Sequence, residues 1–187
     1  PGFEGAKYMC SPAPRDRQAS DGLWDAVRRG TLDVVSSDHS GWGFETPVGK
    51  RVNGAEAPFR DIPNGVPGLG SRLPILFSEG VAAGRISAST FVQLTATNPA
   101  KLFGLYPRKG TVAVGSDADL VVFDPEKRHT ITAAGQQSKT DYNLYEGTEV
   151  VGDVETVLLR GNVLVEGGEV VAKPGIERLD GKDVHFA

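Results

Sequence analysis

Leu32-Asp33-Val34-Val35-Ser36-Ser37-Asp38-His39 is the stretch on which the reading of this chain turns. Its apolar half has the length and β-branched content of a short buried strand, and it runs straight into an aspartate and a histidine. In parallel (β/α) barrels the catalytic groups sit where strands end, at the C-terminal face. A carboxylate delivered there can bind a metal, accept a proton, or both. Spacing alone leaves other readings open: an Asp-His pair after a strand is also a helix cap, a turn or a satisfied surface pair. In an extended chain His39 points away from Asp38, which makes it a support for the site and not a ligand.

The surroundings suit an α/β arrangement. Ser20 to Gly30 reads as a helix, with Ser20 as cap, Leu23, Trp24 and Val27 on one face, and Gly30 as terminator. Residues 41–64 are rich in Gly, Pro and polar side chains and read as a long loop over the strand ends. Leu73, Leu76, Phe77 and Val81 mark a second helix. Phe91, Leu94 and Thr95 mark a third, capped by Ser87 or Ser89. Asn98-Pro99 then looks like a fresh helix start, ending near Gly104. After Gly110 the pattern changes to short β runs. These are Thr111-Val112-Ala113-Val114, Leu120-Val121-Val122-Phe123, Thr156-Val157-Leu158-Leu159, Val163-Leu164-Val165 and Val170-Val171, with hairpin turns at Arg160-Gly161-Asn162 and Glu166-Gly167-Gly168.

The bulk numbers narrow the classes. The chain has 187 residues, 39% hydrophobic and 24% charged, with net charge -4. Length and composition allow a real core. The charge gives no electrostatic reason to expect nucleic acid. No stretch approaches the ~20 apolar residues of a membrane span, and none resembles a secretory leader. The single cysteine, Cys10, excludes an internal disulfide and points to a reducing, cytoplasmic setting.

Four segments carry a resemblance to one enzyme family. They are Phe3-Glu4-Gly5-Ala6-Lys7-Tyr8 with Cys10-Ser11-Pro12; Ser37-Asp38-His39; Ile62-Pro63-Asn64-Gly65-Val66-Pro67-Gly68 with Arg72-Leu73-Pro74; and Thr97-Asn98-Pro99-Ala100-Lys101 running on to Gly110-Thr111 and Gly115-Ser116-Asp117-Ala118-Asp119-Leu120. In order and spacing the chain resembles the C-terminal half of a cyclic amidohydrolase of the dihydropyrimidinase and D-hydantoinase type. The Asn-Pro-Ala-Lys and Gly-Ser-Asp-Ala-Asp-Leu pieces are common to many amidohydrolases. The Cys-Ser-Pro and Ile-Pro-Asn-Gly pieces are narrower. The resemblance implies the C-terminal portion of a (β/α)8 TIM barrel of the metal-dependent hydrolase type over residues 1–110. A small β-sandwich portion over 111–175 and a tail at 176–187 follow. Pro1 at the start and Met9 as the only methionine fit the same expectation, a fragment lacking the first half of the barrel.

The chemistry is implied in the same way. Asp38 matches a family position that is both a metal ligand and the acid/base of ring opening. Ser11 and Asn64 match positions that hold the ring amide, largely through main-chain atoms. Without the resemblance, Ser11-Pro12 and Asn64-Gly65 are ordinary turn pairs. The implied cofactor is zinc, two ions per full-length subunit, which lowers the pKa of bound water to about 7. The other ligands, a His-x-His pair, a carboxylated lysine and two further histidines, are not in this chain; His39, His129 and His185 lack ligand-like company. The implied partners are a small cyclic amide and further copies of the chain in a dimer or tetramer. Cys10, with no histidine near it in sequence, reads as an inert thiol. Arg72 either pairs with a barrel carboxylate or shapes the pocket. After His39 the chain departs from the common pattern, with Ser40-Gly41-Trp42-Gly43-Phe44, so Trp42 or Phe44 becomes a candidate wall for an aryl substituent. Allantoinase or dihydroorotase chemistry and a non-catalytic scaffold are the competing readings. Ile-Pro-Asn-Gly argues against the first and the retained Asp38 against the second.

Overall fold

A computed structural model describes residues 2–173. The expected tail at 176–187, with His185, lies outside the described residues. Packing divides the chain into two compact units, each assembled from three stretches. One comprises Pro1–Asp25, Ser36–Ile75 and His129–Val150; the other comprises Ala26–Val35, Leu76–Arg128 and Val151–Ala187. The arrangement is α/β.

The first unit is mostly irregular chain. It opens with a 3-10 turn at Phe3–Tyr8. Helix α1 spans Arg17–Arg28, with Arg17–Asp25 in this unit and Ala26–Arg28, like Gly30, in the other, and so begins ahead of the expected Ser20. The reason is Asp16, whose carboxylate accepts the Ala19 N–H at 3.0 Å. An acidic side chain at that position satisfies an orphan donor and suits the positive end of the helix. Gly30, at φ +68°, closes the helix as expected, donating to the Val27 carbonyl at 3.0 Å. Val27 is buried, whereas Leu23 of the expected apolar face is exposed. A small aromatic core forms around buried Phe44, Tyr142 and Ala6, with Phe3, Ile62 and Leu144 packed against it. The 41–64 stretch is loop and turn throughout, apart from a short turn of helix at Phe59–Asp61.

The expected strand at 32–35 is not formed. Val35 N–H donates to the Leu94 carbonyl at 3.2 Å, and no other segment runs alongside as a ladder among the described residues. A strand needs a partner, and apolar content alone does not supply one.

The later helices are longer than their sequence signals. α2 (Arg72–Leu76) begins just before it and continues as a π turn over Phe77–Ala82. α3 (Ala88–Val92) is capped by Ser87, whose hydroxyl accepts the Thr90 N–H at 3.0 Å. It runs on through a π segment (Gln93–Thr97) into α4 (Asn98–Leu102). Asn98 therefore opens α4 without capping it, because the chain is already helical there. Its backbone is helical, and its side chain donates to the Asp33 carbonyl at 2.9 Å. The wider hydrogen-bond ring of the π segment accommodates Pro99, which has no N–H to give.

Four strands make one sheet in the order β1 (Leu120–Thr130), β2 (Glu149–Leu159), β3 (Asn162–Glu166), β4 (Glu169–Val170). β2 to β4 form an antiparallel meander, with Leu159 opposite Asn162 and Glu166 opposite Glu169. Both expected turns are there. Arg160-Gly161 has φ of 47° and 81°, and Gly167-Gly168 has 61° and 82°. Paired positive φ values match the strand twist, as in type I′ hairpins. Thr111-Val112-Ala113-Val114 is no strand: Val112 and Val114 lie in solvent. That loop is pinned at its end, where Lys109 pairs with Asp117 at 2.9 Å and with Asp119, while the Arg160 N–H donates to Asp119 at 2.8 Å. Phe77, Phe91 and Phe123 pack with centroids 4.7–5.8 Å apart, each contact contributing about 1 kcal/mol beyond the area it buries. Gly152 of β2 lies against Phe77 and Phe123.

Candidate active site

The site is built in the first unit by side chains that bind backbone. Asp38 is exposed and has φ +45°, one of two described non-glycine residues in the left-handed region. Such a conformation costs of order 1 kcal/mol or more and turns the chain sharply. Directly after it His39 makes a single parallel bridge to Val66, and the Ser40 N–H donates to the Val66 carbonyl at 3.0 Å. The His39 Nδ1 accepts the N–H groups of Gly68 (3.2 Å) and Leu69 (3.3 Å). An Nδ1 that accepts leaves the proton of the neutral ring on Nε2. The imidazole thus pegs the segment that follows Asn64.

Lys50 ties the next two segments together. It has no exposed surface at all, and its ammonium donates to the carbonyls of Pro63 (2.6 Å), Gly65 (2.7 Å) and Met9 (3.0 Å). A lysine has three donors, so this set satisfies it fully. Burial pushes the Lys50 ammonium below its usual range, with Cys10 acting the other way. The Gly65 N–H adds a bond to the Met9 carbonyl at 2.9 Å. The Trp42 indole donates to the Asn64 carbonyl at 2.9 Å. Hence the strip carrying Cys10-Ser11-Pro12 lies beside Pro63-Asn64-Gly65, and the Asp38-His39 strip lies beside Val66. Ser11 and Asn64 are both exposed. The Cys10 thiol donates to the Pro12 carbonyl at 3.4 Å, a contact internal to its own turn.

The loop that reaches Lys50 is anchored by Asp141. Its carboxylate accepts the N–H groups of Phe44 (2.6 Å) and Glu45 (2.8 Å). Burial opposes ionisation of Asp141, but those two donors outweigh it and hold the carboxyl below its usual range. Phe44 is 3% exposed, within the core formed with Phe3 and Tyr142. It is therefore unavailable as a wall for a ligand, because the backbone bonds to Asp141 aim it inward. Trp42 stays at the surface, 38% exposed.

Residues 14–164 match the amidohydrolase family model. The chain belongs to the amidohydrolase family. It is 49% identical over 174 residues to the D-hydantoinase of Rhizobium radiobacter, covering 93% of this chain and 37% of that protein. A solved D-hydantoinase superposes with a TM-score of 0.88 at 48% identity, over 94% of this chain and 37% of the other. A dihydropyrimidinase from Brevibacillus agri gives a TM-score of 0.86 at 47% identity, over 91% and 36%. The chain thus spans little more than a third of the length of the relatives it matches.

Amidohydrolases are typically metal-dependent. Asp38 offers a hard oxygen donor suited to a divalent cation. No group of three or more His, Cys, Asp or Glu side chains converges among the described residues. Among the described residues the donor set thus includes Asp38 as one candidate ligand. Two residues that shape the site escaped the sequence reading. Lys50 and Asp141 act on backbone groups up to 41 and 97 positions away, and no local motif marks either.

Proposed function

We propose that the protein containing this chain hydrolyses cyclic amides, opening dihydropyrimidine or hydantoin rings to N-carbamoyl amino acids. The supporting observation is the convergence of the segments bearing Ser11, Asp38 and Asn64, held by Lys50 and His39. Residues 1–110 form part of the (β/α)8 barrel in this reading and 111–175 part of a small β-sandwich. Ser11 and Asn64 grip the ring amide. Asp38 takes a proton from the attacking water and delivers it to the ring nitrogen as the carbonyl carbon–nitrogen bond breaks. Water is consumed: the carbon gains the hydroxyl, and the ring nitrogen, an N–H before cleavage, leaves as the NH2 of the carbamoyl group. Zinc, two ions per full-length subunit with Asp38 among the ligands, would supply an acidified water and a polarised carbonyl. Trp42 borders the pocket and favours aryl-bearing rings. The protein works in the cytoplasm as a dimer or tetramer. Among the described residues no helix is long and apolar enough to cross a membrane.

The natural full-length protein, purified and given hydantoin and dihydrouracil, should release the corresponding N-carbamoyl products. Metal removal should abolish this and zinc restore it. Failure to open either ring under any divalent metal sinks the reading.

A further inference from the structure

We infer that His39 is a positioning residue for the reaction, its imidazole fixing the backbone that aims the Asp38 carboxylate. The inference rests on the reading of the site as a cyclic-amide pocket with Asp38 as its acid/base. The Asp38–Ser40 strip meets its neighbour at one backbone point: His39 bridges Val66, and the Ser40 N–H donates to the Val66 carbonyl at 3.0 Å. One such point acts as a pivot. It fixes where the two strips touch and leaves their rotation about that point open. The His39 side chain adds a second anchor, two and three residues further along. There Nδ1 accepts the N–H groups of Gly68 at 3.2 Å and Leu69 at 3.3 Å. Two anchors remove the rotation that one allows. Asp38 directly precedes the bridge, at φ +45°, so the direction of its carboxylate follows the orientation of this backbone.

The same geometry disfavours the other roles a histidine could take here. Nδ1 is engaged by two donors, and the proton of the neutral ring then sits on Nε2. Neither nitrogen keeps a lone pair for a metal or for a substrate proton. Gly41 supplies the room the ring needs. A Cβ there would stand 2.7 Å from His39 Nε2, 3.1 Å from its Cε1 and 3.1 Å from the Thr140 methyl. The φ of Gly41 lies outside the left-handed region, so this glycine serves space and not conformation. The Ser11 and Asn64 segments do not depend on the His39 clasp. They are joined by Lys50 and by the Gly65 N–H on the Met9 carbonyl at 2.9 Å. Loosening the clasp should therefore harm turnover and spare substrate binding.

The test is steady-state kinetics on the natural full-length protein with dihydrouracil and hydantoin at saturating zinc. The parent is compared with His39→Ala, His39→Asn and Gly41→Ala. His39→Ala removes the acceptor and keeps the backbone bridge. It should lower kcat about tenfold to a hundredfold, the cost of misplacing a reacting group by about 1 Å, with KM within about threefold. His39→Asn puts an amide oxygen where Nδ1 stood and should bring kcat back to within about fivefold of the parent. A residue acting through its own proton or on a metal would not be rescued in this way. Gly41→Ala keeps the imidazole and displaces it from both N–H groups. It should lower kcat about fivefold or more, again with KM within about threefold. If His39→Ala does not fold, Gly41→Ala carries the test alone. Smaller losses of kcat in the folded variants overturn the inference and leave the function standing. So does a rise in KM that accounts for the loss, or an asparagine variant as slow as the alanine one. A parent that opens neither ring overturns the function and this inference with it.

Discussion

The clasped loop around Lys50 and the sheet from β2 to β4 are held in opposite ways. In the sheet, backbone binds backbone, and tight turns with positive φ fix the register. In the loop, a few side chains bind backbone across long gaps: Lys50 to three carbonyls, His39 to two N–H groups, Asp141 to two more. A ladder spreads its stability over many equivalent bonds and constrains the chain to a repeat. A clasp concentrates stability in single residues and leaves the path of the chain free. Irregular chain is what a binding site requires, because its groups must point at a ligand and not at the next strand.

The contrast can be broken by a crossed pair of substitutions. In the full-length protein Asp38→Asn should lower turnover at least a thousandfold, about 4 kcal/mol or more of transition-state stabilisation. The fold should survive, because asparagine tolerates the left-handed backbone at φ +45°. Gly152→Ala should do the reverse. Its Cβ would collide with a Phe77 ring atom and stand 2.7 Å from one of Phe123, at φ +90°. Overpacking together with a forbidden backbone should cost about 3 kcal/mol in a denaturant titration, with turnover per folded molecule unchanged. If Asp38→Asn retains activity within tenfold, the acid/base lies elsewhere. If Gly152→Ala leaves the midpoint in place, the aromatic packing is slack.

A milder probe sharpens the same contrast. Asp141→Ala removes the acceptor for two loop N–H groups and should cost about 2 kcal/mol locally. Amide exchange should quicken at Phe44 and Glu45 and stay unchanged at Val157 and Val165 of the sheet. Equal acceleration in both places would mean that loop and sheet open as one unit. The pH dependence follows from the shifts. Asp141 is held below 3.8, so its contribution is present above that value and lost as pH falls through the depressed pKa. Beside the sheet, burial opposes the charges of Lys109 and Asp119, but their mutual hydrogen bond outweighs it, raising the lysine and lowering the aspartate. Asp119 gives the same acid limb. Lys109 adds an alkaline limb, with stability complete below 10.5 and lost as pH rises through its raised value. Melting temperatures from pH 2 to 12 should show both limbs, and Lys109→Met should shrink the alkaline one without erasing it, because Asp153 also raises Lys127.

What could be read from sequence follows the same division. β3, both of its hairpins, the Ser87 cap and the Gly30 stop rest on neighbours within a few positions, and each was legible. The 32–35 strand was misread because pairing is not a local property. The Asn98-Pro99 start of α4 was legible, but Asn98 as its cap was not, because a π segment runs straight into it. The family resemblance singled out the segments of Ser11, Asp38 and Asn64, and those segments lie beside one another. The Lys50 and Asp141 clasps were not, since a buried lysine and a surface one look alike in a sequence.

The smallest effect concerns the second residue in the left-handed region, Arg160, at φ +47°. Asp38 occupies that region at a sharp turn of the candidate site, whereas Arg160 occupies it because the hairpin demands positive φ at both turn positions. Its N–H bond to Asp119 at 2.8 Å is a backbone bond that any residue other than proline keeps. Arg160→Asn converts the turn to Asn-Gly, the pair best suited to this geometry, and relieves part of the left-handed cost. Stability should rise by about 0.5 kcal/mol, shifting Tm upward by about 1–2 °C. The corresponding change at Asp38, Asp38→Asn, should give a similar small gain in stability while removing activity, so the two substitutions separate backbone strain from chemistry. A fall in Tm at Arg160→Asn would show that the contacts of the arginine side chain outweigh the relief of its backbone.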